Sequence, residues 1–564
     1  MALLSASLVL PLLAQTPPPP QPSDPFFSET IEVRIINVDA IVTGKDGKPV
    51  RGLTKDDFEV LENGNPQPIS NFAEVSAASS NLAAVAPVPA SAPAPARAAE
   101  TPQDTRPRHV VVFIDDASLR PFNRNRVLEV MTNFVRQVVR PGDGIMVTTW
   151  SPPLHVAVPL TGDINAALAG IEKVKSENAH GVLYDTERRL AERAINDLPT
   201  DYAMVGQIPP IDFAIDQARL YATKVMHEQR QKVEAVKSVM SSMRGVEGRK
   251  IFVIVTEALS DRAAQPIFEF VDQVKDRFVN GQNYSQERES RPYAEPSLTN
   301  MMAETANSTG VTFYPIDAAG LGGDMEGISA DSLRGEFVTP TMKHIGLRDE
   351  HLQTLRQIAE LTGGTALVAS NNFALALDTI ANDLQSYYSI GYRATGAKQD
   401  TIRSIQVRLK NKRGLQIRTR QAFVERSMSS EMKDAVAANL FYPIAHNDLN
   451  IRLGAAGLTQ PAPLEEHVVV PVEVHIPTEA LTLIPDGTEL RGRFSSFTAF
   501  LRKDGAVSEV KTNVHELRFP AASLKKRKEI TLKLELMVDT KTEAVSVGVM
   551  DDVSHAKGFA ALKL

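Results

Sequence analysis

The 564-residue sequence predicts an α/β domain with a mostly parallel sheet and flanking helices, combined with β-sandwich domains. Two patterns carry this. Over 108–385 short apolar runs alternate with amphipathic helical stretches, the rhythm of a doubly wound sheet. Over 30–75, 386–425 and 446–564, apolar and polar residues alternate within short runs separated by turn residues, as half-buried antiparallel strands do. Dividing the length by a typical domain of ~150 residues gives three to four folded units.

In chain order, Ala2 to Ala14 is an apolar run well short of the ~20 residues that cross a bilayer, and it ends in a small residue. It reads as a signal peptide over 1–14, which implies an exported protein, periplasmic or secreted; the alternative is an apolar, unstructured start. No other segment reaches membrane-spanning length. A Pro-rich spacer (15–29) and an Ala/Pro-rich linker (76–107) bracket an N-terminal β segment (30–75) containing Asn63-Gly64, a hairpin-turn signal. Three or four strands alone bury too little apolar surface. The strands of 386–425 are therefore expected to complete the same sandwich, with the α/β domain inserted between.

Within 108–385 the expected strands are RHVVVFIDD, IMVTTWS, LHVAVPL, KIFVIVTEA, VTFYPIDAAG and TALVAS, with helices between them. A helical insertion near 180–244 includes one long helix from Ile211 to Met243. Its apolar positions Phe213, Leu220, Val225, Val233, Val236, Val239, Met240 and Met243 form a stripe concentrated in the C-terminal half, which leaves much of Arg219 to Lys232 solvated. A helical connector (426–445) leads to the C-terminal sandwich (446–564).

Composition excludes several classes. The chain has 61 Lys+Arg against 68 Asp+Glu, a net charge of -7, and no basic stripe, so nucleic acid is not expected as a partner. Zero Cys removes disulfides, thiolate metal sites and cysteine nucleophiles. No Gly-x-Ser-x-Gly elbow, zincin helix or phosphate loop is present, so an enzyme is not expected.

The strand ending in Asp115-Asp116, the run PGDGIMVTTW, the strand ending in Thr256-Glu257-Ala258, and the later GVTFYPIDAAG and LTGGTALVAS resemble a von Willebrand factor A domain. With VTGKDGKPVRGLTKDDFEVLENGNPQPISNF before it and YYSIGYRATG after it, the chain resembles the von Willebrand factor A-related family of exported bacterial proteins of acidobacterial type. The resemblance spans roughly Ile31 to Val424. It implies a Rossmann-like fold and a metal-ion-dependent adhesion site, where a divalent cation such as Mg²⁺ is held by Asp-x-Ser-x-Ser, a Thr and a further Asp. Hydroxyls with few carboxylates suit that hard cation and leave it a position for an acidic ligand.

Carried onto this sequence, the metal-ligand candidates are Asp115, Asp116, Ser118, Thr186 and Glu257. The pattern is degenerate. Counting from Asp115 places Ala117 and Leu119 at the two Ser positions, whereas counting from Asp116 gives Ser118 and then Arg120; Glu257 replaces the last Asp. The competing reading has these carboxylates capping helices or hydrogen-bonding within the crevice. His180, Tyr184 and Asp185 read as a solvated loop, Asp317 as a turn cap, and Gly363-Gly364 as a helix C-cap. The resulting expectation is a noncatalytic, adhesion-type module that recognises a protein or cell-surface ligand. The alternative is a structural or assembly component of the cell envelope with a vestigial, metal-free site.

Overall fold

The computed structural model describes residues 35–76, 107–198, 210–321, 343–393, 398–410, 413–442, 447–455, 460–461, 467–503, 507–520 and 528–564. The expected signal peptide, the Pro-rich spacer and nearly all of the Ala/Pro linker lie outside the described residues.

Five apolar runs form the central sheet: β1 (Arg108–Ile114), β2 (Gly144–Trp150), β3 (Leu154–Thr161), β4 (Arg249–Thr256) and β5 (Val311–Asp317), in the order β3-β2-β1-β4-β5. β1 is parallel to β2 and β4, β4 is parallel to β5, and β3 runs antiparallel to β2. The longer helices that accompany them among the described residues are α1 (Pro121–Val138), α2 (Ile164–Ser176), α3 (Gly181–Asn196), α4 (Asp212–Ser242), α5 (Gln265–Val274), α6 (Ser297–Thr309), α7 (Lys343–Thr362) and α8 (Phe373–Gln385).

Strand side chains alternate between faces, and both faces of β1, β2, β4 and β5 are covered, which is why these strands read as unbroken apolar runs. Val110, Val112 and Ile114 pack with Leu128, Ile171 and Leu377 of α1, α2 and α8. Val111, Phe113 and Met146 pack with Val236, Met302 and Ile358 of α4, α6 and α7. Phe113, Phe252 and Phe313 run across β1, β4 and β5 at centroid spacings of 5.8 and 5.0 Å. The register sets Ile114 beside Thr149 and Val255. Asp115 and Glu257 consequently leave neighbouring strands at the same edge of the sheet.

Some expectations change. TALVAS is not a sixth strand: Leu367 makes one isolated parallel bridge with Ile316, and Ala369 has a positive φ of 50° that ends the extended backbone. The first half of α4 is solvated on one face and buried on the other. Tyr221, Ala222, Val225, Gln229 and Lys232 are buried, and the first three share a separate core with Ile195 of α3 and Phe268 of α5. Phe213 and Leu220, placed on the apolar stripe from sequence, are exposed. His180, Tyr184 and Asp185 are not in a loop: His180 is the N-cap of α3, and the other two lie in its first turns.

The flanking segments build a sandwich from two separated stretches of chain. Ile35–Thr43 and Ile69–Ser76 lie on either side of Ser386–Arg393, setting Val38 and Phe72 against Ile390. Phe58–Glu62 pairs with Ile402–Leu409, with Val60 opposite Val407. The run 415–424 is not one strand. Gln416–Arg418 joins the first of these sheets and Ala422–Val424 the second.

After Glu425, the helix Met428–Asn439 packs Met432 and Val436 against Phe497 and Met550 of the C-terminal sandwich. That sandwich pairs His467–Pro477 with Glu529–Asp539, and Glu489–Arg502 with both Lys511–Pro520 and Thr542–Asp551. Because the helix covers its outer face, Thr542–Asp551 is buried on both sides.

Candidate functional site

The β1–α1 turn, the end of β4 and the middle of α4 meet beyond the carboxyl edge of the sheet. Asp115 is fully buried, and its Oδ2 is the focus. Ser118 Oγ and Thr256 Oγ1 each donate to it at 2.6 Å, and the ammonium of Lys232 stands 2.7 Å from the same oxygen. Lys232 is itself buried. Its Nζ also donates to the Ala258 carbonyl at 2.5 Å and lies 5.4 Å from the ring centroid of Trp150, so hydrogen bonds and an aromatic face replace its lost hydration. Asp115 Oδ1 has no hydrogen-bond partner among the described residues.

The neighbouring carboxylates also have basic partners. Arg124, buried in the first turns of α1, donates to Asp116 Oδ1 at 3.1 Å and to the carbonyls of Lys175 and Glu177. Arg120 donates its backbone N–H to Glu257 Oε1 at 3.2 Å, holds its guanidinium 3.7 Å from Glu257 Oε2, and bonds Asp185 at 2.6 and 2.9 Å. Burial pushes the Glu257 carboxyl up to about 7, against the pull of Arg120 and Asn123. Burial raises Asp116 as well, against Arg124.

The turn is held from outside by α3. His180 N donates to the Asp116 carbonyl at 2.9 Å and Gly181 N to the Leu119 carbonyl at 3.0 Å. A Cβ on Gly181 would stand 2.4 Å from the Ser118 carbonyl oxygen, so only glycine permits this approach.

Of the residues singled out from sequence, Asp115, Asp116, Ser118 and Glu257 come together. Thr186 does not join them: it is on the exposed side of α3 and donates to the Val182 carbonyl at 2.7 Å, one turn back in its own helix. The Thr that does reach Asp115 is Thr256, at the end of β4. Asp317 caps a turn by accepting from Ala319 N at 3.2 Å. Lys232, Arg120 and Arg124 were missed. The signal for Lys232 is its spacing, because Val225, Gln229, Lys232, Val236, Val239 and Met243 recur every three or four residues and so share one helix face. A polar residue in such a stripe has a buried partner to meet.

Mg²⁺ demands near-octahedral oxygen ligands at about 2.0–2.1 Å. Here one oxygen of Asp115 already receives two hydroxyl protons and an ammonium. Asp115, Asp116 and Glu257 are matched by Lys232, Arg124 and Arg120. No group of three or more His, Asp or Glu side chains is arranged to hold a metal among the described residues. As placed, these side chains fit an ammonium and not a divalent ion.

Beside this cluster is a cavity of about 190 Å³ lined by Arg120, Tyr184, Gln229, Glu257, Arg262 and His351, among others. Gln229 Oε1, Glu350 Oε2 and His351 Nε2, all from lining residues, have no hydrogen-bond partner among the described residues. His351 Nε2 is 3.8 Å from Asp317 Oδ1, and its Nδ1 lies against the backbone of Leu259.

No family model matches the chain, and no curated protein matches it. Among solved structures it is similar to an aerotolerance-related membrane protein from Bacteroides fragilis, at 9% identity over 49% of this chain and 98% of that one, with a TM-score of 0.23. It is also similar to a pilus adhesin from Lactobacillus rhamnosus GG, at 10% identity over 77% and 53% of the two chains, with a TM-score of 0.24. A von Willebrand factor type A protein from Catenulispora acidiphila is similar at 9% identity over 58% and 68%, with a TM-score of 0.22. The fold assignment rests on the strand order and packing described above.

Proposed function

We propose that this chain is a noncatalytic binding protein of the von Willebrand factor A-related, exported bacterial type, which recognises a protein or surface ligand at the strand-end cavity. The observation that carries the reading is the set of unmatched acceptors along that cavity. Gln229 Oε1 and Glu350 Oε2 have no donor among the described residues, and a buried acceptor without a donor costs about 1–3 kcal/mol. A ligand offering N–H groups, such as a Lys, Arg or amide side chain, removes that cost on binding.

The noncatalytic part rests on access. Within the Asp115 cluster the hydroxyls are those of Ser118 and Thr256, and both are buried and both give their protons to Asp115. A nucleophile must reach its substrate and hand its proton to a base poised to pass it on; neither condition is met. Export rests on the apolar run at the start of the sequence. Among the described residues no helix is long and apolar enough to cross a membrane.

Photo-crosslinking in cells of the source bacterium tests the binding site. A crosslinking residue at Ser260, in the cavity wall, should capture a defined partner, and Gln229→Leu should abolish that capture. A probe on the C-terminal sandwich, at Glu516, should leave that partner uncaptured. Capture at Glu516 with none at Ser260 would overturn the reading in favour of an assembly component with a vestigial crevice.

A further inference from the structure

We propose that the resident cation of this site is the ammonium of Lys232, tethered by α4 in the place of a metal ion, so that the crevice is assembled without a divalent cation. This goes beyond the choice of ligand and holds whether or not the cavity binds a partner.

The geometry points to it from three directions. The first is the convergence on Asp115 Oδ2, where Ser118 Oγ, Thr256 Oγ1 and Lys232 Nζ meet within 2.6–2.7 Å. Asp115 lies just past β1, Ser118 sits in the β1–α1 turn and Thr256 ends β4, so one charge ties together elements that a bound metal would otherwise have to gather. The second is that the ammonium is fully accommodated. Asp115, the Ala258 carbonyl and the face of Trp150 account for its donors, and it is buried to the same degree as its partner. The third is the charge around it. Arg124 pairs with Asp116, and Arg120 is shared between Glu257 and Asp185, so an added divalent ion would meet two guanidinium groups and an ammonium beside these carboxylates.

The arrangement also explains why α4 is so long. Its C-terminal half packs on the sheet through Val236, Val239 and Met240. The middle must run on past the carboxyl edge to deliver Lys232 and Gln229 there, and the first half then needs its own core, which Tyr221, Ala222 and Val225 make with α3 and α5. A metal ion can be lost to chelators or exchanged. A lysine fixed to a 31-residue helix cannot, and its charge is one unit rather than two, so no coordination position is left for a ligand's carboxylate.

The test is a cation titration followed through Trp150, the sole tryptophan of the chain, whose ring faces the ammonium. MgCl₂ and MnCl₂ are titrated into the metal-stripped full chain, with fluorescence and melting temperature recorded. The wild type should show no saturable response up to millimolar cation and no change with EDTA. Lys232→Ser, which empties the position and leaves Asp115, Ser118 and Thr256 in place, should gain a saturable Mg²⁺ response that Asp115→Asn removes. If Lys232→Ser does not fold, Lys232→Gln serves in its place, keeping a long side chain and a donor but no charge. A stoichiometric Mg²⁺ response in the wild type that is lost in Asp115→Asn would overturn the proposal. So would folded charge-free variants that respond to Mg²⁺ no more than the wild type.

Discussion

Two buried aspartates near opposite ends of the sheet are held in different ways. Asp383, at the end of α8, meets Arg418 of the split sandwich in a two-bond fork, Nη1 to Oδ2 and Nη2 to Oδ1, both at 2.8 Å, and Oδ2 also receives Tyr314 OH at 3.1 Å. Arg249, the first residue of β4, donates to the Asp383 carbonyl and stacks 4.3 Å over the Tyr387 ring. Both carboxylate oxygens are used, and the interaction joins the α/β domain to its frame. At Asp115 three donors crowd one oxygen while Oδ1 has none among the described residues. The first arrangement is a closed structural joint. The second is a half-open one, with an unmatched acceptor beside a cavity lined by others.

Breaking the closed joint should have the largest effect. Arg418→Ala leaves Asp383 buried with Tyr314 as its remaining side-chain donor, and loss of one partner of a buried pair costs about 3–5 kcal/mol. Urea unfolding should show that loss, and a change under about 1 kcal/mol would mean the joint is solvated in solution. Lys232→Met should cost somewhat less, about 3 kcal/mol, because Ser118 and Thr256 still donate to Asp115. Its loss should appear in the same unfolding curve together with a shift in Trp150 emission, which Arg418→Ala should leave unchanged.

Gly181→Ala probes the clamp on the half-open side. A methyl group forced against the Ser118 and Leu119 backbone should cost about 1–3 kcal/mol. Faster amide exchange of the Asp116–Leu119 turn should accompany it, whereas Gly181→Ala with unaltered exchange there would show that α3 does not hold the turn.

The last expected effect is a pH slope, which shows only part of its range at any one pH. Glu257 titrates near 7 in the folded protein against 4.5 ordinarily, so the folded state holds its proton more tightly than the unfolded chain does. Its contribution to stability is present below about 4.5 and is lost as pH rises through 7. Glu257→Gln should flatten the stability profile across that window by up to about 3 kcal/mol. Melting temperatures measured from pH 5 to 8 check this, and parallel profiles for the two proteins would contradict it.

How much of this was legible in the sequence depended on what each residue's environment demands. The central strands were readable because both of their faces are covered, which forces unbroken apolar runs such as Arg108–Ile114 and Arg249–Thr256. TALVAS has the same look but pairs only at Leu367, since composition does not record where a backbone turns away. At the site, Asp115, Asp116, Ser118 and Glu257 were visible by their position at strand ends. Lys232 and Gln229 were hidden in a helix that looked solvated, because charge outweighed spacing in reading it. Thr186 has the residue type of a ligand, but one turn of its own helix supplies its hydroxyl with an acceptor.

The central claim, that Lys232 and Asp115 form a matched internal pair at the carboxyl edge of the sheet, is tested most directly by a double-mutant cycle. Stability is measured for the wild type, Asp115→Asn, Lys232→Met and the double variant. The pair predicts a coupling of about 1–3 kcal/mol, with the double variant more stable than Lys232→Met alone. Additivity within about 0.5 kcal/mol would contradict it.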